Sequence, residues 1–293
     1  MIRIQKSFKE QTEYGTLYLV ATPIGNLEDM TFRAIRTLKE VQLIAAEDTR
    51  QTRKLLTHFE ISTRLVSYHE HNKQASGSEL IRLLIEGQSI ALVSDAGLPA
   101  VSDPGADLVA DAVEQGIPVV PIPGANAALS ALIISGLPTD RFLFTGFPPR
   151  DKKPLAEWLN RLARQEGTLM MYESPHRLKK TLDAILEHWG DRRIAMVREL
   201  TKRHEEAARG RVSECLAFLE ENPPLGEYCL IVEGAAPGVG DMADNGEIWW
   251  ASLELEQHVT HYENEGLDRK EAIKKVAQDR GLPKRDVYNA VNR

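Results

Sequence analysis

The stretch VSDAGLPAVSDPG (Val93–Gly105) decides how the first half of this sequence is interpreted. It places two Ser-Asp pairs, two prolines and two glycines in one loop, directly after the apolar run SIALVS (Ser89–Ser94). Such a run predicts a strand that is buried on both faces, as in a parallel sheet. Because open α/β sheets bind ligands beyond the carboxyl ends of their strands, we predict a ligand site in this loop.

Other runs of the same kind lie on both sides of that loop and alternate with segments of helical spacing. The predicted strands of the first half are Thr16–Ala21, Gln42–Ala46, Arg64–Tyr68, Ser89–Ser94 and Pro118–Ile122. Between them we predict a helix with Asp29 as its N-cap, a second helix after Ser78 and a third after the prolines near position 104. Strands that alternate with helices indicate a mostly parallel α/β sheet.

The pattern breaks at SGLPTDR (Ser135–Arg141) and then restarts, which predicts a second α/β domain. Its predicted strands are Arg141–Phe147, Thr168–Tyr172, Arg193–Leu200 and Glu227–Gly234, and Pro175 is predicted to begin a helix. A second break, AAPGVGDMADNGE (Ala235–Glu247), precedes two short helices, the first capped by Asp268 and ended by Gly281. These two helices form either a helix-turn-helix or a plain hairpin that docks on the body.

Four segments are therefore expected along the chain. They are a flexible N-terminal segment (1–14), an N-terminal α/β domain (15–137), a C-terminal α/β domain (138–236) and a small helical unit (247–293). We expect the fold class to be α/β, with two α/β domains and these C-terminal helices.

Composition places the chain among ordinary globular proteins, with 42% hydrophobic and 27% charged residues. The two cysteines, Cys215 and Cys229, lack CxxC spacing, so we expect neither a metal site nor a disulfide framework. No apolar segment is long enough for a signal peptide or a membrane span, and we expect a cytoplasmic protein. The net charge of −7 argues against a general, sequence-independent RNA-binding protein. An enzyme that binds RNA through one local basic patch is compatible with this net charge.

Three more loops contain residues suited to binding. ATPIGNLEDMT (Ala21–Thr31) and PIPGANAALSA (Pro121–Ala131) follow predicted strands of the first half, and MYESPHRLKKTL (Met171–Leu182) follows a strand of the second. Taken alone, the first two are equally consistent with ordinary strand-to-helix turns. The Val93–Gly105 loop is neither a phosphate-binding P-loop nor a dinucleotide GxGxxG motif. In the Val93–Gly105 loop, Asp95 and Asp103 are suited to accept amino or hydroxyl donors, or to balance a sulfonium charge.

Eight motifs together are more specific than any one loop: TPIGN, AAEDTR, HEHN, VSDAGLPAVSDPG, PIPGANAALSA, GFPP, YESPHR and RELTK. In this order, over roughly Gly15 to Val291, they resemble the tetrapyrrole methylase superfamily and, within it, the bacterial family that methylates small-subunit ribosomal RNA. The resemblance implies two α/β domains with S-adenosylmethionine bound between them. It also implies a homodimer that methylates the 2′-oxygen of a cytidine in 16S ribosomal RNA.

The same resemblance implies which residues bind the cofactor. Matched motif by motif, they are Pro23, Gly25, Asp95, Ala96, Gly97, Ser102, Asp103, Pro123, Gly124, Ala125, Tyr172, Glu173 and Ser174. One departure is Asn126, which stands where many members of the family have a small residue.

A ribose hydroxyl is a weak acid, so its methylation is helped by a general base or a strong hydrogen-bond acceptor. The candidate catalytic residues are Asp48, His71 and Lys202, and Glu47 and His69 are further candidates beside them. Each has a structural alternative: Asp48 as a helix cap, the histidines as polar loop residues, and Lys202 as a partner of Glu205 or Glu206. Positioning of the hydroxyl without any dedicated base is also open.

Basic side chains near the predicted cleft are candidates for RNA contact. They are Arg50, Arg150, Lys152, Lys153, Arg177, Lys179 and Lys180, and Lys274, Lys275, Lys284 and Arg285 form a further cluster in the C-terminal unit. The alternative is that these clusters are only solvated faces. Two rival functions stay open, methylation of a tetrapyrrole precursor and a non-enzymatic RNA-binding module, and binding of the cofactor distinguishes the second from an enzyme.

Overall fold

The computed structural model describes residues 4–5, 13–236, 250 and 253–291. They divide into two compact units, one containing the described residues up to Ala235 and the other those from Ala236 onward. Most of the predicted N-terminal segment (1–14) and of the second predicted break (235–247) lies outside the described residues.

The first sheet is built from short apolar strands. Strands β1 to β5 span Leu17–Val20, Leu43–Ala46, Leu65–Ser67, Ile90–Val93 and Val119–Ile122. All are parallel and lie in the order β3-β2-β4-β1-β5. β2 and β4 are buried along their whole length, as expected for strands covered on both faces. The five predicted strands of the first half are thus confirmed.

Helices cover both faces of this sheet. Helices α1 to α5 span Phe32–Glu40, Thr49–His58, Lys73–Ile85, Gly105–Glu114 and Ala127–Ser135. α1 and α2 pack on one face, and α3 and α4 pack on the other. α5 instead packs against the second sheet. A helix that directly follows the last strand of the first sheet therefore joins the two halves into one compact unit.

The second sheet is mixed. Strands β6 to β10 span Phe142–Phe144, Thr168–Glu173, Arg193–Arg198, Glu206–Arg211 and Tyr228–Val232, in the order β6-β7-β10-β8-β9. β6 is parallel to β7, and the remaining pairs are antiparallel. Helices α6 to α8, at Lys152–Leu162, Pro175–Trp189 and Val212–Glu221, pack on one face of the sheet, and α5 packs on the other.

Some local predictions were wrong. Asp29 does not cap α1; it ends a 3-10 turn (Leu27–Asp29), and Thr31 caps α1 by accepting a hydrogen bond from the Ala34 amide at 3.1 Å. The helix placed after Ser78 begins earlier, at Lys73. Strand β9, EAARGR, was not predicted because it lacks an apolar run; it lies at the edge of the sheet and needs little burial.

The second unit contains helices α9 (Leu255–Asn264), α10 (Arg269–Arg280) and α11 (Lys284–Val291) around a small apolar core. Asp268 caps α10 by accepting from the Glu271 amide at 2.8 Å, and Gly281 ends it in the left-handed conformation. The cap at Asp268 and the helix end at Gly281 had both been predicted from the sequence. Over the described part of the chain, no helix combines the length and the apolar character that crossing a bilayer requires.

Candidate functional site

An open cleft of about 400 Å³ lies at the carboxyl edge of the first sheet. Its size falls within the range of roughly 300–1,000 Å³ that is usual for small-molecule sites. The loops after β1 and β4 and helix α2 form most of it, and Lys202 and Glu227 of the second half line the remaining side. The first-half lining residues are Thr22, Pro23, Ile24, Gly25, Leu27, Gln51, Thr52, Lys54, Leu55, Ser94, Asp95 and Ala96.

The β1 and β4 loops are tied together by backbone hydrogen bonds. The Thr22 amide donates to the Gly97 carbonyl at 2.9 Å, and the Gly97 amide donates to the Thr22 carbonyl at 3.0 Å. The Thr22 hydroxyl also donates to the Ser94 carbonyl at 3.2 Å. Gly97 has a φ of +80°, which glycine adopts readily, and a Cβ there would lie 3.4 Å from the Ile24 side chain. The two loops therefore form one rigid wall of the cleft.

Two carboxylates of the Val93–Gly105 loop have different roles. Asp95 is exposed at the cleft and accepts a hydrogen bond from the Asp48 amide at 2.9 Å. Asp103 points inward: its Oδ1 accepts from the Ala100 and Gly105 amides, at 2.9 and 2.7 Å. Its Oδ2 is buried and has no hydrogen-bond partner among the described residues.

The same loop carries backbone strain. Ala100 and Ser102 have φ values of +66° and +62°, which are uncommon for residues with a side chain. A Cβ on Gly146 would lie 3.3 Å from the Ser102 hydroxyl, so this loop reaches the second half. Strained backbone of this kind is concentrated at functional sites.

The loop after β5 packs closely on β1. A Cβ at Gly124 would lie 2.8 Å from the Ala21 Cβ, so glycine is required there by space. The Ala125 carbonyl lies near Gly97, where a Cβ would be 3.6 Å from it. Asn126, the departure noted in the sequence, caps α5 by accepting from the Leu129 amide at 2.8 Å. Pro123, Gly124 and Ala125 are not among the residues that line the cleft.

The carboxyl end of β7 and the residues directly after it make largely structural contacts. Glu173 is 2% exposed; its Oε1 accepts from the Ser174 amide at 2.8 Å and its Oε2 from the Thr181 hydroxyl at 2.6 Å. Ser174 stands at the N-cap of α7, and Pro175 is the first residue of that helix, as predicted. Tyr172 packs edge-on against Phe144, and burial raises its pKa to about 12.

Of the three candidate catalytic residues, Asp48 and Lys202 are held in ion pairs. Asp48 caps α2 and accepts from Arg50 Nε at 3.1 Å and Nη2 at 2.9 Å, and these hydrogen bonds lower its pKa to about 2. Lys202 Nζ donates to Glu199 Oε1 at 3.1 Å and to Glu227 Oε2 at 3.0 Å. Partial burial opposes the charge of Lys202, but these hydrogen bonds outweigh it and raise the pKa. The alternative partners, Glu205 and Glu206, were wrong: Glu205 accepts from the Thr201 amide and Glu206 pairs with Arg198.

The third candidate, His71, is exposed in the loop before α3, with its ring centroid 6.0 Å from that of His69. His69 is half-buried, and its Nδ1 is fully buried without a hydrogen-bond partner among the described residues. Glu47 belongs to the same region. Partial burial, and then the charges of Asp95 and Asp103, raise its pKa, and His69 partly offsets the shift.

The basic candidates divide into those already engaged and those that point to solvent. Arg177 donates to the Pro148 and Pro149 carbonyls, and Lys180 donates to the Arg150 carbonyl. Lys179 pairs with Glu220, and Arg50 with Asp48. Arg150, Lys152 and Lys153 are exposed around the start of α6.

Several residues that line the cleft were not predicted from the sequence. Gln51, Thr52, Lys54 and Leu55 form one side of α2, a helix that the sequence indicated only through Asp48 as an alternative N-cap, which the structure confirms. Their spacing of one, three and four residues is that of a helix face, which was the available signal. Glu227 also escaped, because only the folded chain brings it to Lys202.

Comparison with known proteins assigns the fold. Residues 16–216 match the model of the family described as Tetrapyrrole (Corrin/Porphyrin) Methylases. A uroporphyrin-III-C-methyltransferase from Thermus thermophilus has a similar structure, with a TM-score of 0.51 and 24% identity; 75% of this chain and 94% of that chain are covered. This likeness shows the fold alone, and it confirms the predicted two α/β halves.

Full-length relatives narrow the assignment. "Ribosomal RNA small subunit methyltransferase I" of Halalkalibacterium halodurans is 58% identical, over 98% of both chains. The protein of that name from Bacillus subtilis is 55% identical, over 99% of this chain and 98% of its own. The chain therefore belongs to the tetrapyrrole methylases and, among them, to the family of ribosomal RNA small subunit methyltransferase I.

Proposed function

We propose that this protein is an rRNA (cytidine-2′-O)-methyltransferase, which transfers a methyl group from S-adenosylmethionine to a ribose 2′-hydroxyl in 16S ribosomal RNA. The observation that carries the proposal is the 58% identity over 98% of both chains to a protein named for methylation of small-subunit ribosomal RNA. The cleft at the carboxyl edge of the first sheet supports it, because this is where α/β sheets bind ligands.

The cleft residues suit S-adenosylmethionine. Asp95 presents an exposed carboxylate that suits the sulfonium or the amino group of the cofactor, and Glu227 presents another across the cleft. At Gly25, a Cβ would lie 2.4 Å from Lys202 Cγ, so the absence of a side chain keeps this wall clear. We propose that Pro23, Gly25, Asp95 and Ala96 contact the cofactor directly.

The other residues that match the family motifs either hold the contact residues in place or complete the cleft on the side of the second half. Gly97 ties the β1 and β4 loops, and Asp103 holds the β4 loop from inside. Ser102 lies in the loop after β4, and Pro123, Gly124 and Ala125 lie in the loop after β5. Tyr172 and Glu173 are the last residues of β7, and Ser174 follows them. We propose that these residues set the shape of the cofactor site.

Methyl transfer from the sulfonium is an in-line displacement, and S-adenosylmethionine supplies the electrophilic carbon. The protein must hold the acceptor oxygen about 3–3.5 Å from that carbon. Lys202 is cationic and fixed between two carboxylates, so it binds and orients rather than removes a proton. Asp48 anchors α2 and, through its amide, the Asp95 side chain. His71 is free to meet the RNA from its exposed loop.

RNA binding is proposed for the exposed basic residues Arg150, Lys152 and Lys153, together with the helical unit. Lys274, Lys275, Lys284 and Arg285 are exposed on α10 and α11 and are suited to phosphate contacts. Deleting the residues after Gly246 should weaken binding of small subunits more than binding of the cofactor. Equal loss of both would contradict this role. We also propose that the protein acts in the cytoplasm as a homodimer, as the family resemblance implies.

The test of the function is direct. The purified protein is incubated with radiolabelled S-adenosylmethionine and small ribosomal subunits that lack the modification, and the rRNA is hydrolysed with alkali. We expect label in an alkali-resistant 2′-O-methylated dinucleotide. Cofactor binding without labelled rRNA would instead favour a small-molecule acceptor such as a tetrapyrrole precursor, which an absorbance assay would detect. Failure to bind the cofactor would refute an enzymatic role.

A further inference from the structure

Helices α1 and α2 lie on the same face of the first sheet, and the order of the strands explains why. From β1 to β2 and from β2 to β3 the chain moves in one direction across the order β3-β2-β4-β1-β5, and it returns through β4 to β5. Because parallel strands are joined by right-handed crossovers, helices on steps in the same direction cover the same face. Ala34 and Leu38 of α1 accordingly share an apolar cluster with Leu56 of α2, whereas α3 and α4 pack on the opposite face.

The outer surface of these two helices, the α1–α2 face, is basic, although the whole chain has a net charge of −7. The two helices contain one acidic residue, Glu40, and six basic residues: Arg33, Arg36, Lys39, Arg50, Arg53 and Lys54. Helices α3 and α4 contain four acidic residues and two basic ones. Charge is thus segregated between the two faces of one sheet, and a field of a single sign attracts a partner of the opposite sign.

Most of the basic groups on the α1–α2 face have no acidic partner. Arg50 is paired with Asp48, but the other five form no ion pair with any residue that the structure describes. On the opposite face, by contrast, the two basic residues Lys73 and Arg82 are both held by carboxylates. The α1–α2 face therefore presents cations that no carboxylate of the described chain neutralises.

The spacing of these cations is unfavourable for the helices themselves. Arg33, Arg36 and Lys39 follow one another at intervals of three residues on α1, and Arg53 follows Arg50 at the same interval on α2. Like charges at this spacing are neighbours on a helix and destabilise it. An anionic ligand that lies along the two helices would remove this repulsion.

The α1–α2 face borders the cleft that is proposed to bind the cofactor. Lys54 of α2 lines this cleft, and so does Leu27, five residues before α1 begins. Phe32, the first residue of α1, is 93% exposed. Phe32, Arg36 and Lys39 are separated by four and three residues, so they lie along one side of α1. An exposed aromatic ring beside a row of cations suits RNA, because a nucleotide presents both a flat base and a negative phosphate.

We propose that the α1–α2 face binds ribosomal RNA beside the nucleotide that is methylated. Arg36, Lys39 and Arg53 contact phosphates, and Phe32 stacks on an unpaired base. This inference rests on the proposed function and deepens it, because it adds an RNA-binding surface at the mouth of the cleft to the basic residues around the start of α6. The exposed ring favours RNA over an acidic protein surface as the partner.

The test is the salt dependence of RNA binding by the triple variant Arg36→Gln/Lys39→Gln/Arg53→Gln. Binding to protein-free 16S rRNA and to unmodified small subunits is measured by fluorescence anisotropy between about 0.05 and 0.3 M potassium chloride. Each lost phosphate contact should weaken binding about fourfold at about 0.15 M salt, so the triple variant should bind about 50-fold more weakly. The slope of log affinity against log salt should become shallower by about 2. The three residues are not among those that line the cleft, so the affinity for S-adenosylmethionine should be unchanged.

The matched control removes the same charge from elsewhere on the surface, in Arg64→Gln/Arg161→Gln/Arg164→Gln. These three arginines are exposed and lie outside α1 and α2, so RNA affinity and salt slope should stay within about twofold of the wild type. Phe32→Ala should weaken RNA binding by about 5–150-fold and leave the salt slope unchanged, because stacking on a base releases no counterions.

The proposal would be overturned by a triple variant with unchanged RNA affinity and an unchanged salt slope. Equal weakening by the control triple would also overturn it, because the loss would then reflect net charge alone. Weaker binding to small subunits with unchanged binding to protein-free rRNA would make a ribosomal protein the partner instead. Wild-type RNA affinity in Phe32→Ala would refute the stacking contact. Absence of rRNA methylation by the wild type would refute the proposed function, whereas the binding measurements decide the α1–α2 face independently of activity.

Discussion

Gly25→Ala is the sharpest test of the cleft, because it sets one methyl group against a fixed lysine. A Cβ at position 25 would lie 2.4 Å from Lys202 Cγ and 3.0 Å from Thr201 Oγ1. Non-bonded carbon atoms prefer about 3.5–4.0 Å, so the lysine must move by about 1 Å or more. Its ammonium group is bonded to Glu199 and Glu227, and the movement breaks or lengthens both contacts.

The expected loss of cofactor affinity in Gly25→Ala follows from these contacts. Exposed ion pairs contribute about 0.2–1 kcal/mol each, and overpacking of one methyl group costs about 1–3 kcal/mol. Because Lys202 lines the cleft, we expect most of this strain to appear in cofactor binding. A loss of about 1–3 kcal/mol corresponds to a dissociation constant for S-adenosylmethionine raised by about 5–150-fold.

This loss of affinity is measured by calorimetric titration of S-adenosylmethionine into four proteins: the wild type, Gly25→Ala, Lys202→Ala and the double variant. Lys202→Ala removes the Cγ and Cε atoms, so Gly25→Ala should lose the part of its effect that comes from this contact and keep only the part that comes from the φ of +157° at position 25. The control is Gly77→Ala in α3, whose Cβ would make an ordinary contact at 3.6 Å and should leave affinity unchanged. Equal effects of Gly25→Ala in both backgrounds would refute the steric explanation.

Two further predictions concern carboxylates near the site. Glu173→Gln should lower the free energy of unfolding by about 1–3 kcal/mol in urea, because a buried acceptor of two hydrogen bonds, which also pairs with Arg177, is altered. Because Glu173 shapes the cofactor site without touching the cofactor, affinity should fall less than in Gly25→Ala; a larger loss would instead make Glu173 a direct contact. Arg50→Gln should raise the pKa of Asp48 from about 2 toward about 3.9, as followed by carbon-13 NMR. A carboxyl with a depressed pKa adds stability above the unfolded-state pKa, and this stability is lost as the pH falls toward 2. The variant should therefore lose less stability over that acidic range than the wild type, because only the backbone amides of residues 50 and 51 still lower the pKa of Asp48; an unmoved Asp48 titration would contradict this.

Most strands could be predicted because buried strands consist of continuous apolar runs that are visible in the local sequence. The runs around Leu17–Val20 and Ile90–Val93 are continuously apolar, which only strands covered on both faces require. Glu206–Arg211 is an edge strand with few apolar residues, so its pairing with β8 leaves no such trace. The start of α1 was misplaced because Asp29 and Thr31 are both good caps, and only the fold selects Thr31.

The loops of the site could also be found from local composition, but their contacts could not. Asp95 and Gly25 were predicted and do line the cleft. Lys202 was predicted without its partners. Glu199 lies only three residues away, whereas Glu227 lies 25 residues away and reaches Lys202 only through the pairing of β8 with β10. Whether these residues touch the cofactor stays a prediction.

The choice between Glu47 and Asp48 shows why a motif does not assign its own chemistry. Both carboxylates belong to AAEDTR, and both follow the buried strand β2. In extended backbone, successive side chains point to opposite faces. Asp48 turns to the start of α2, where Arg50 two residues later neutralises it. Glu47 has no such partner among the described residues, and burial together with the charges of Asp95 and Asp103 raises its pKa. The sequence contains the Arg50 partner locally, but the carboxylates that raise the pKa of Glu47 belong to the loop after β4 and act on it only in the folded chain.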